Sequence, residues 1–242
     1  YEVFGLVRRV AHPSRVTSGV HVLYGDMTDQ GSLNRAVIES DPDEVYNLAA
    51  QSFVGASWGI PVSTADITGL GALRLLEAVR AHAPYARVYQ ASSSEMFGNQ
   101  SGLLDEETPF RPRSPYGFSK VFAHNAAVNF RESYSLHVSC GILFNHESPR
   151  RGKEFVTQKI VQQAKEIALQ KRESFSLGNT DIRRDWGYAP EYVEAMWLML
   201  QQEEPDDYVI ATGESHSLLD FIECAEDALG LPHNTTIETD LR

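Results

Sequence analysis

Arg87-Val88-Tyr89-Gln90-Ala91-Ser92-Ser93-Ser94-Glu95 joins a strand-like run, Arg87–Ala91, to three hydroxyls and a carboxylate. A strand that ends in polar groups is the mark of an open parallel α/β sheet, where ligands bind beyond the carboxyl ends of the strands. The pattern repeats on either side. Glu2–Val7, Val20–Tyr24, Glu44–Leu48 and His137–Leu143 read as further strands. The patterns Gln30–Ser40, Pro61–His82 and Tyr116–Tyr134 read as the helices between them. Short strands alternating with longer helices predict an α/β fold, a Rossmann-like doubly wound parallel sheet.

After Asn145 the pattern changes. Phe155–Gln170, Pro190–Gln202 and Leu218–Leu229 read as helices, with short strands at Ser174–Leu177 and Tyr208–Ala211. The expected division is a dinucleotide-binding domain over 1–145 and a smaller C-terminal substrate lobe over 146–242. A dinucleotide fold needs a glycine-rich loop between its first strand and first helix. Gly69-Leu70-Gly71 is not that loop, because it sits inside a helical pattern and suits a close helix contact instead. The loop is therefore expected before Tyr1, which makes the first visible strand the second of the fold, and a further tail is expected after Arg242.

Composition narrows the function. The 242 residues are 42% apolar, enough to bury a core. The formal charge is 21 − 33 = −12, which argues against non-specific nucleic-acid binding. No apolar run approaches the roughly 20 residues of a membrane helix. The two cysteines, Cys140 and Cys224, and the scattered histidines have no metal-ligand spacing. The expectation is a cytoplasmic protein with neither metal, nucleic acid nor membrane as partner.

Four strand ends carry polar or small groups: Arg8-Arg9, Gly25-Asp26, Ala49-Ala50-Gln51-Ser52 and Ser92-Ser93-Ser94-Glu95. One such end is ordinary loop chemistry, and four favour a cofactor groove. Arg8 and Arg9 suit a ribose 2′-phosphate, which selects NADP over NAD, against the alternative of a solvated basic turn. Asp26 either accepts from an adenine amino group or caps its own turn, with Met27 packing on the ring. In Ser114-Pro115-Tyr116-Gly117-Phe118-Ser119-Lys120 the tyrosine and lysine stand one helical turn apart, on one face. A free tyrosine, with a pKa of about 10, is a poor base at neutral pH, and a fixed cation makes it a usable one. Glu95 is a candidate base for a C–H proton. His146, with Arg150 and Arg151, suits an anionic ligand. Arg184 is either half of a surface ion pair or a diphosphate contact.

These residues together resemble the GDP-mannose 4,6-dehydratases of the extended short-chain dehydrogenase/reductase family. The resemblance covers nearly the whole chain. It is carried by Val7-Arg8-Arg9, by Tyr46 to Ser52, by Gln90 to Glu95, by Pro112 to Tyr116, by Arg184-Asp185-Trp186-Gly187 and above all by Phe144-Asn145-His146-Glu147-Ser148-Pro149-Arg150-Arg151-Gly152. It implies dehydration of GDP-mannose to GDP-4-dehydro-6-deoxy-mannose by internal hydride transfer through NADP, the first step of GDP-deoxysugar synthesis. Tyr116, Lys120, Ser93 and Glu95 would be catalytic. Leu48, Ala49, Ala50, Gln51, Ser52, Lys120, His146 and Arg151 would hold NADP. Asn145, Val156, Lys159 and Arg184 would lie near the GDP-sugar. A homodimer or homotetramer is implied as well.

The chain departs from the family pattern at Ser93 (usually threonine), Phe53 (often histidine) and Ser63 (often tyrosine). The competing readings are another nucleotide-sugar dehydratase, an epimerase or reductase of the same superfamily, or a non-catalytic nucleotide-sugar-binding domain. The dTDP-glucose dehydratases typically carry an Asp-Glu pair where this chain has Ser94-Glu95, which argues against them.

Overall fold

The computed structural model describes residues 1–9, 18–233 and 235–239, and every residue given a role above lies among them. The chain forms two compact units, residues 1–143 with 194–209, and residues 144–193 with 210–242. The first unit thus takes back a helical segment and a strand from the C-terminal half, because the returning strand completes its sheet.

In the first unit, β1 (Val3–Val7) pairs in parallel with β2 (Val20–Tyr24), and α1 (Gln30–Ser40) follows. Next come β3 (Glu44–Asn47), α2 (Val54–Ser57), α3 (Pro61–Thr64) and α4 (Gly71–His82). Then come β4 (Arg87–Ala91), α5 (Pro115–Tyr134) and β5 (Val138–Leu143). The second unit opens with β6 (Asn145–Glu147), α6 (Val156–Ala168), β7 (Ser174–Leu177), β8 (Arg183–Arg184) and β9 (Trp186–Tyr188). The division between units falls within α7 (Ala189–Leu200). After it come β10 (Asp207–Ile210), β11 (His216–Ser217), α8 (Leu218–Leu229) and β12 (Thr236–Thr239).

The main sheet has the order β10-β5-β4-β3, while β1 and β2 form a separate two-stranded sheet. Pairing of β3 with β4 and of β4 with β5 is parallel. The doubly wound parallel architecture is therefore present, interrupted between β1 and β3. Leu33, Leu76, Val79, Val88, Phe130 and Val138 fill the core beside the sheet. In the second unit, Ile160, Ala164, Phe175, Leu177, Leu218 and Ile222 form a core of their own. No helix among the described residues is long and apolar enough to cross a membrane.

Local chemistry sets the helix ends. Asp29 caps α1 by accepting from the Gly31 N–H. Ser114 caps α5 by accepting from the Gly117 N–H at 3.0 Å, and Pro115 occupies the first helical position. Helix α8 begins with a reciprocal capping box between Ser217 and Asp220.

The predicted helix Pro61–His82 is one helical run with a π turn, Ala65–Leu70, in its middle. Gly69 and Gly71 make the close contacts expected of them. An added Cβ on Gly69 would lie 3.3 Å from the Phe122 ring on α5, and one on Gly71 would lie 2.8 Å from Met27 Cβ. Replacing Gly71 by Ala gains about 1 kcal/mol of helix propensity. It forces Met27 outward at a cost of about 1–3 kcal/mol. The expected net result is a loss of about 1 kcal/mol, read as a lower urea midpoint with unchanged slope.

Candidate active site

The end of β4 and the start of α5 build the centre of the site. Lys120 is 3% exposed, and its Nζ donates to the Ala91 carbonyl at 2.7 Å. The same Nζ lies 5.7 Å from the centroid of the Tyr116 ring, within reach of a cation–π contact. Burial pushes the Lys120 ammonium down to about 8. Ala91 O also accepts from Gln90 Nε2, and Gln90 Oε1 takes a bond from Asn47 Nδ2 at 2.7 Å. A buried polar ladder thus crosses from β3 to α5.

Ser93 follows directly and is buried; its Oγ accepts from the Glu95 N–H and caps a single 3-10 turn, Ser94–Met96. Glu95 is half-buried, and its carboxylate has no side-chain partner among the described residues. The turn can lie against α5 only because residue 117 is glycine. A Cβ there would come 2.8 Å from the Glu95 carbonyl oxygen and 3.1 Å from Pro112 Cβ. Ser93, Glu95, Tyr116 and Lys120 are therefore brought to one place by consecutive elements.

A second set of residues lines two adjoining hollows at the carboxyl ends of β1, β2 and β3. One, of about 440 Å³, is bounded by Leu6, Arg8, Asp26, Met27, Ala49 and Gln51, among others. Ile60, Ser63 and Ile67 close its far side. The other, of about 560 Å³, is lined by Arg8, Arg9, Arg35, Asp26 and Asp29 with Tyr24. Asp26 Oδ1 is engaged in its own turn, accepting from the Thr28 N–H at 2.9 Å and the Thr28 hydroxyl at 2.8 Å; these bonds hold its carboxyl below the usual range. Met27 turns mainly into the core against Gly71 and presents only an edge to the groove. Leu48 and Ser52 are exposed on the loop after β3, and Thr68 Oγ1 accepts from the Gln51 N–H.

The remaining sequence-predicted residues belong to the second unit. His146 stacks on Tyr192 at 4.7 Å, and its Nδ1 lies 2.9 Å from Phe144 O. Arg151 Nε sits 3.3 Å from Glu147 Oε2, and its guanidinium lies 3.7 Å over the Phe155 ring. Asn145 is half-buried in β6, and Val156 and Lys159 open α6. Arg184 is exposed on β8. Asp185 makes no ion pair with it; its carboxylate accepts from the Thr212 and Gly213 N–H groups and pins that turn.

A family model described as GDP-mannose 4,6 dehydratase matches residues 2–240. The chain belongs to the GDP-mannose 4,6-dehydratase family. It is 49% identical to GDP-mannose 4,6 dehydratase 1 of Arabidopsis thaliana, with all of this chain and 72% of that protein aligned. It is 49% identical to the human GDP-mannose 4,6 dehydratase over 92% of this chain and 64% of that protein. Among solved structures, Thermus thermophilus UDP-glucose 4-epimerase in complex with NAD superposes with a TM-score of 0.86, at 25% identity, over 98% of this chain and 78% of that one. RMD from Pseudomonas aeruginosa complexed with NADPH gives 0.84 at 24% identity, over 95% of this chain and 81% of that one. The latter likeness shows the fold alone.

Several lining residues escape a reading of the sequence. Arg35 and Ile67 sit on helical segments and Ile60 just before one, with no motif. Asn47 and Gln90 carry a usable signal, since a polar residue inside an apolar strand must find a buried partner. Asp207 on β10 is another. Arg131 Nη1 and Nη2 both lie 3.1 Å from its Oδ1, and His124 Nε2 lies 3.4 Å from its Oδ2. Burial alone would raise the Asp207 carboxyl, but hydrogen bonds from His124 and Arg131, and the guanidinium's charge, hold it down at about 2. A folded value below the unfolded one stabilises the protein at neutral pH and is lost as pH falls toward 2. Replacing Asp207 by Asn is expected to lower stability at pH 7 by about 1–2 kcal/mol. Chemical denaturation at stepped pH should show the difference closing as the medium becomes acid.

Proposed function

We propose that the protein containing this chain dehydrates GDP-mannose to GDP-4-dehydro-6-deoxy-mannose using NADP that is regenerated in each turnover. The observation that carries the reading is the buried Lys120 ammonium beside the Tyr116 ring, with Ser93 and Glu95 on the adjoining turn. The family assignment is in accord with it.

The hollows at the strand ends fit a dinucleotide. Three guanidinium-bearing residues, Arg8, Arg9 and Arg35, line one of them. The two carboxylates beside them are engaged in backbone caps. That balance favours a 2′-phosphate, hence NADP. Ala49, Ala50 and Gln51, with flanking Leu48 and Ser52, offer backbone and small side chains along the groove. Asp26 has its second oxygen left for an adenine amino group, above the edge of Met27. An ammonium has three donors. Lys120 spends one on Ala91, and the others suit ribose hydroxyls. His146 and Arg151 are assigned to the cofactor, and Asn145, Val156, Lys159 and Arg184 to the GDP-sugar, on the family pattern. Bound there, NADP would supply the hydride acceptor for sugar C4 and the hydride donor for C6.

The chain's own groups move the protons. Tyr116, as phenolate favoured by Lys120, takes the proton of the C4 hydroxyl, which Ser93 Oγ orients. The resulting ketone acidifies C5–H. Glu95 removes that proton and passes it to the C6 hydroxyl, which leaves as water. C5 regains a proton as hydride returns to C6, and the proton that Tyr116 took from O4 balances it. Two free thiols, Cys140 and Cys224, suit a cytoplasmic setting. A homodimer or homotetramer is part of the same reading.

Incubation of the full-length protein with GDP-mannose should yield a product lighter by one water, read by mass spectrometry. Replacing Glu95 by Gln should reduce that turnover by about 100-fold or more while NADP affinity stays within about 2-fold. Unchanged turnover in this variant would reject Glu95 as the base, and no loss of water with the wild-type protein would reject the dehydratase reading.

The alkaline limb of the rate profile gives a separate check. Lys120 supports the phenolate only while protonated, and it loses its proton as pH rises past about 8. The rate is therefore expected to fall above that pH. In Lys120→Arg the cation persists, so any residual activity should lack this limb.

A further inference from the structure

Tyr116 and Lys120 occupy the inward face of α5, and that face continues. His124 stands one turn beyond Lys120 and is 4% exposed. Its Nδ1 lies 3.0 Å from Ser92 Oγ. Its Nε2 faces Asp207, which in turn holds Arg131 from the same helix. Arg131 also donates to the Val138 carbonyl, which fixes its guanidinium against β5. Phe110 meets the imidazole edge-on at 5.0 Å, and Phe97 packs on Phe110.

The direction of these bonds follows from the charge on Asp207. A carboxylate accepts only, so the neutral imidazole carries its one proton on Nε2, the nitrogen that faces Asp207. Nδ1 is then an acceptor, and the Ser92 hydroxyl donates to it. The Ser92 N–H is already bonded to Gly141 O at 2.9 Å. Ser92 is thus held on both sides, one residue before Ser93 and three before Glu95.

Cys140 lies in the same cluster, and one ligand atom from each of His124, Cys140 and Asp207 falls within 4.8 Å of the others. A divalent ion there would have to displace the Arg131 guanidinium from Asp207. It would also need a thiolate from Cys140, whose thiol burial and Asp207 push well above its usual value. The cluster is a bonded network, not a metal cage.

The geometry has a mechanical consequence. Two consecutive residues at the end of β4 are bonded to two residues one turn apart on α5, Ala91 to Lys120 and Ser92 to His124. One bond fixes only a distance. Two bonds a turn apart fix the axial register of the helix and its rotation against the strand. We propose that His124 is a positioning residue. Through Ser92, and backed by Asp207 and Arg131, it holds the Ser93–Glu95 turn in register with Tyr116. The role in turnover rests on the reading of those residues as the reaction centre; the restraint on the turn does not.

Three variants of the full-length protein separate the bonds. Asparagine at 124 can keep an acceptor for the Ser92 hydroxyl while losing Asp207. Glutamine can reach Asp207 while losing Ser92. Ser92→Ala removes the donor. His124→Gln and Ser92→Ala are expected to lower kcat at least about 10-fold with KM for GDP-mannose within about 2-fold. His124→Asn should retain at least about a third of kcat. The double variant Ser92→Ala/His124→Gln should be no slower than either single one, since both break one bond. Losses that track thermal stability across all three variants, or that add in the double variant, would overturn the proposal.

Hydrogen exchange reads the restraint without any substrate. The Glu95, Met96 and Phe97 amides, bonded within the turn, should exchange at least about 10-fold faster in Ser92→Ala and His124→Gln, with Val88–Ala91 unchanged. Unaltered exchange at the turn would refute the inference whatever the protein turns over. Faster exchange with no turnover of GDP-mannose by wild type would uphold the restraint and reject the assigned reaction.

Discussion

A single buried cation organises the first unit. Lys120 lies under the sheet end with one carbonyl as its hydrogen-bond partner among the described residues. Keeping that ammonium charged in a dry site costs about 3 kcal/mol of stability at pH 7, a penalty that fades as pH rises from about 8 toward the ordinary lysine value near 10.5. A group that opposes folding in this way has to be held by its surroundings. Gln90 and Asn47 supply that hold by filling the rest of the Ala91 carbonyl's environment. The capped start of α5 at Ser114-Pro115 then sets where Tyr116 falls relative to it. The chemistry of the site and the packing around it are the same set of bonds.

Much of this is legible in the sequence because it is local or periodic. The 3.6-residue spacing puts Tyr116 and Lys120 on one face, and β2, β4, β7, α1 and α8 run between the residues that their apolar patterns and caps mark. What escapes has physical reasons. The π turn in Pro61–His82 shifts the helical period too little to be seen across so long a run. β8 and β11 have two residues each, and β6 and β9 three, too few to show alternation. Met27, read from sequence as packing on the adenine ring, keeps an edge on the groove while most of its side chain is buried against Gly71. His124 was within reach, four residues past Lys120 on the same face. Asking only for metal-ligand spacing passes it over, and its partner Asp207 becomes its neighbour only when β10 returns to the sheet.

The two carboxylates of the hollow lined by Arg8, Arg9 and Arg35 teach the same lesson about charge. By formal charge alone, Asp26 and Asp29 offset Arg8 and Arg9 around this hollow. In the fold each carboxylate accepts from backbone, Asp29 at the start of α1 and Asp26 in its own turn. Arg35, one turn into α1, joins the basic side. Net charge at a site is therefore a matter of which groups already have partners, and the overall −12 of the chain says little about it.

The break in the doubly wound sheet has its own consequence. Among the described residues β1 has β2 as its only strand partner and β3 has β4, so each leaves a row of amides and carbonyls without a strand beside it. Val3 and Leu6 on β1 and Tyr46 on β3 are more than a third exposed. Open edges of apolar strands recruit other strands. Handled by itself at high concentration, this polypeptide is a template for self-association through intermolecular β-pairing.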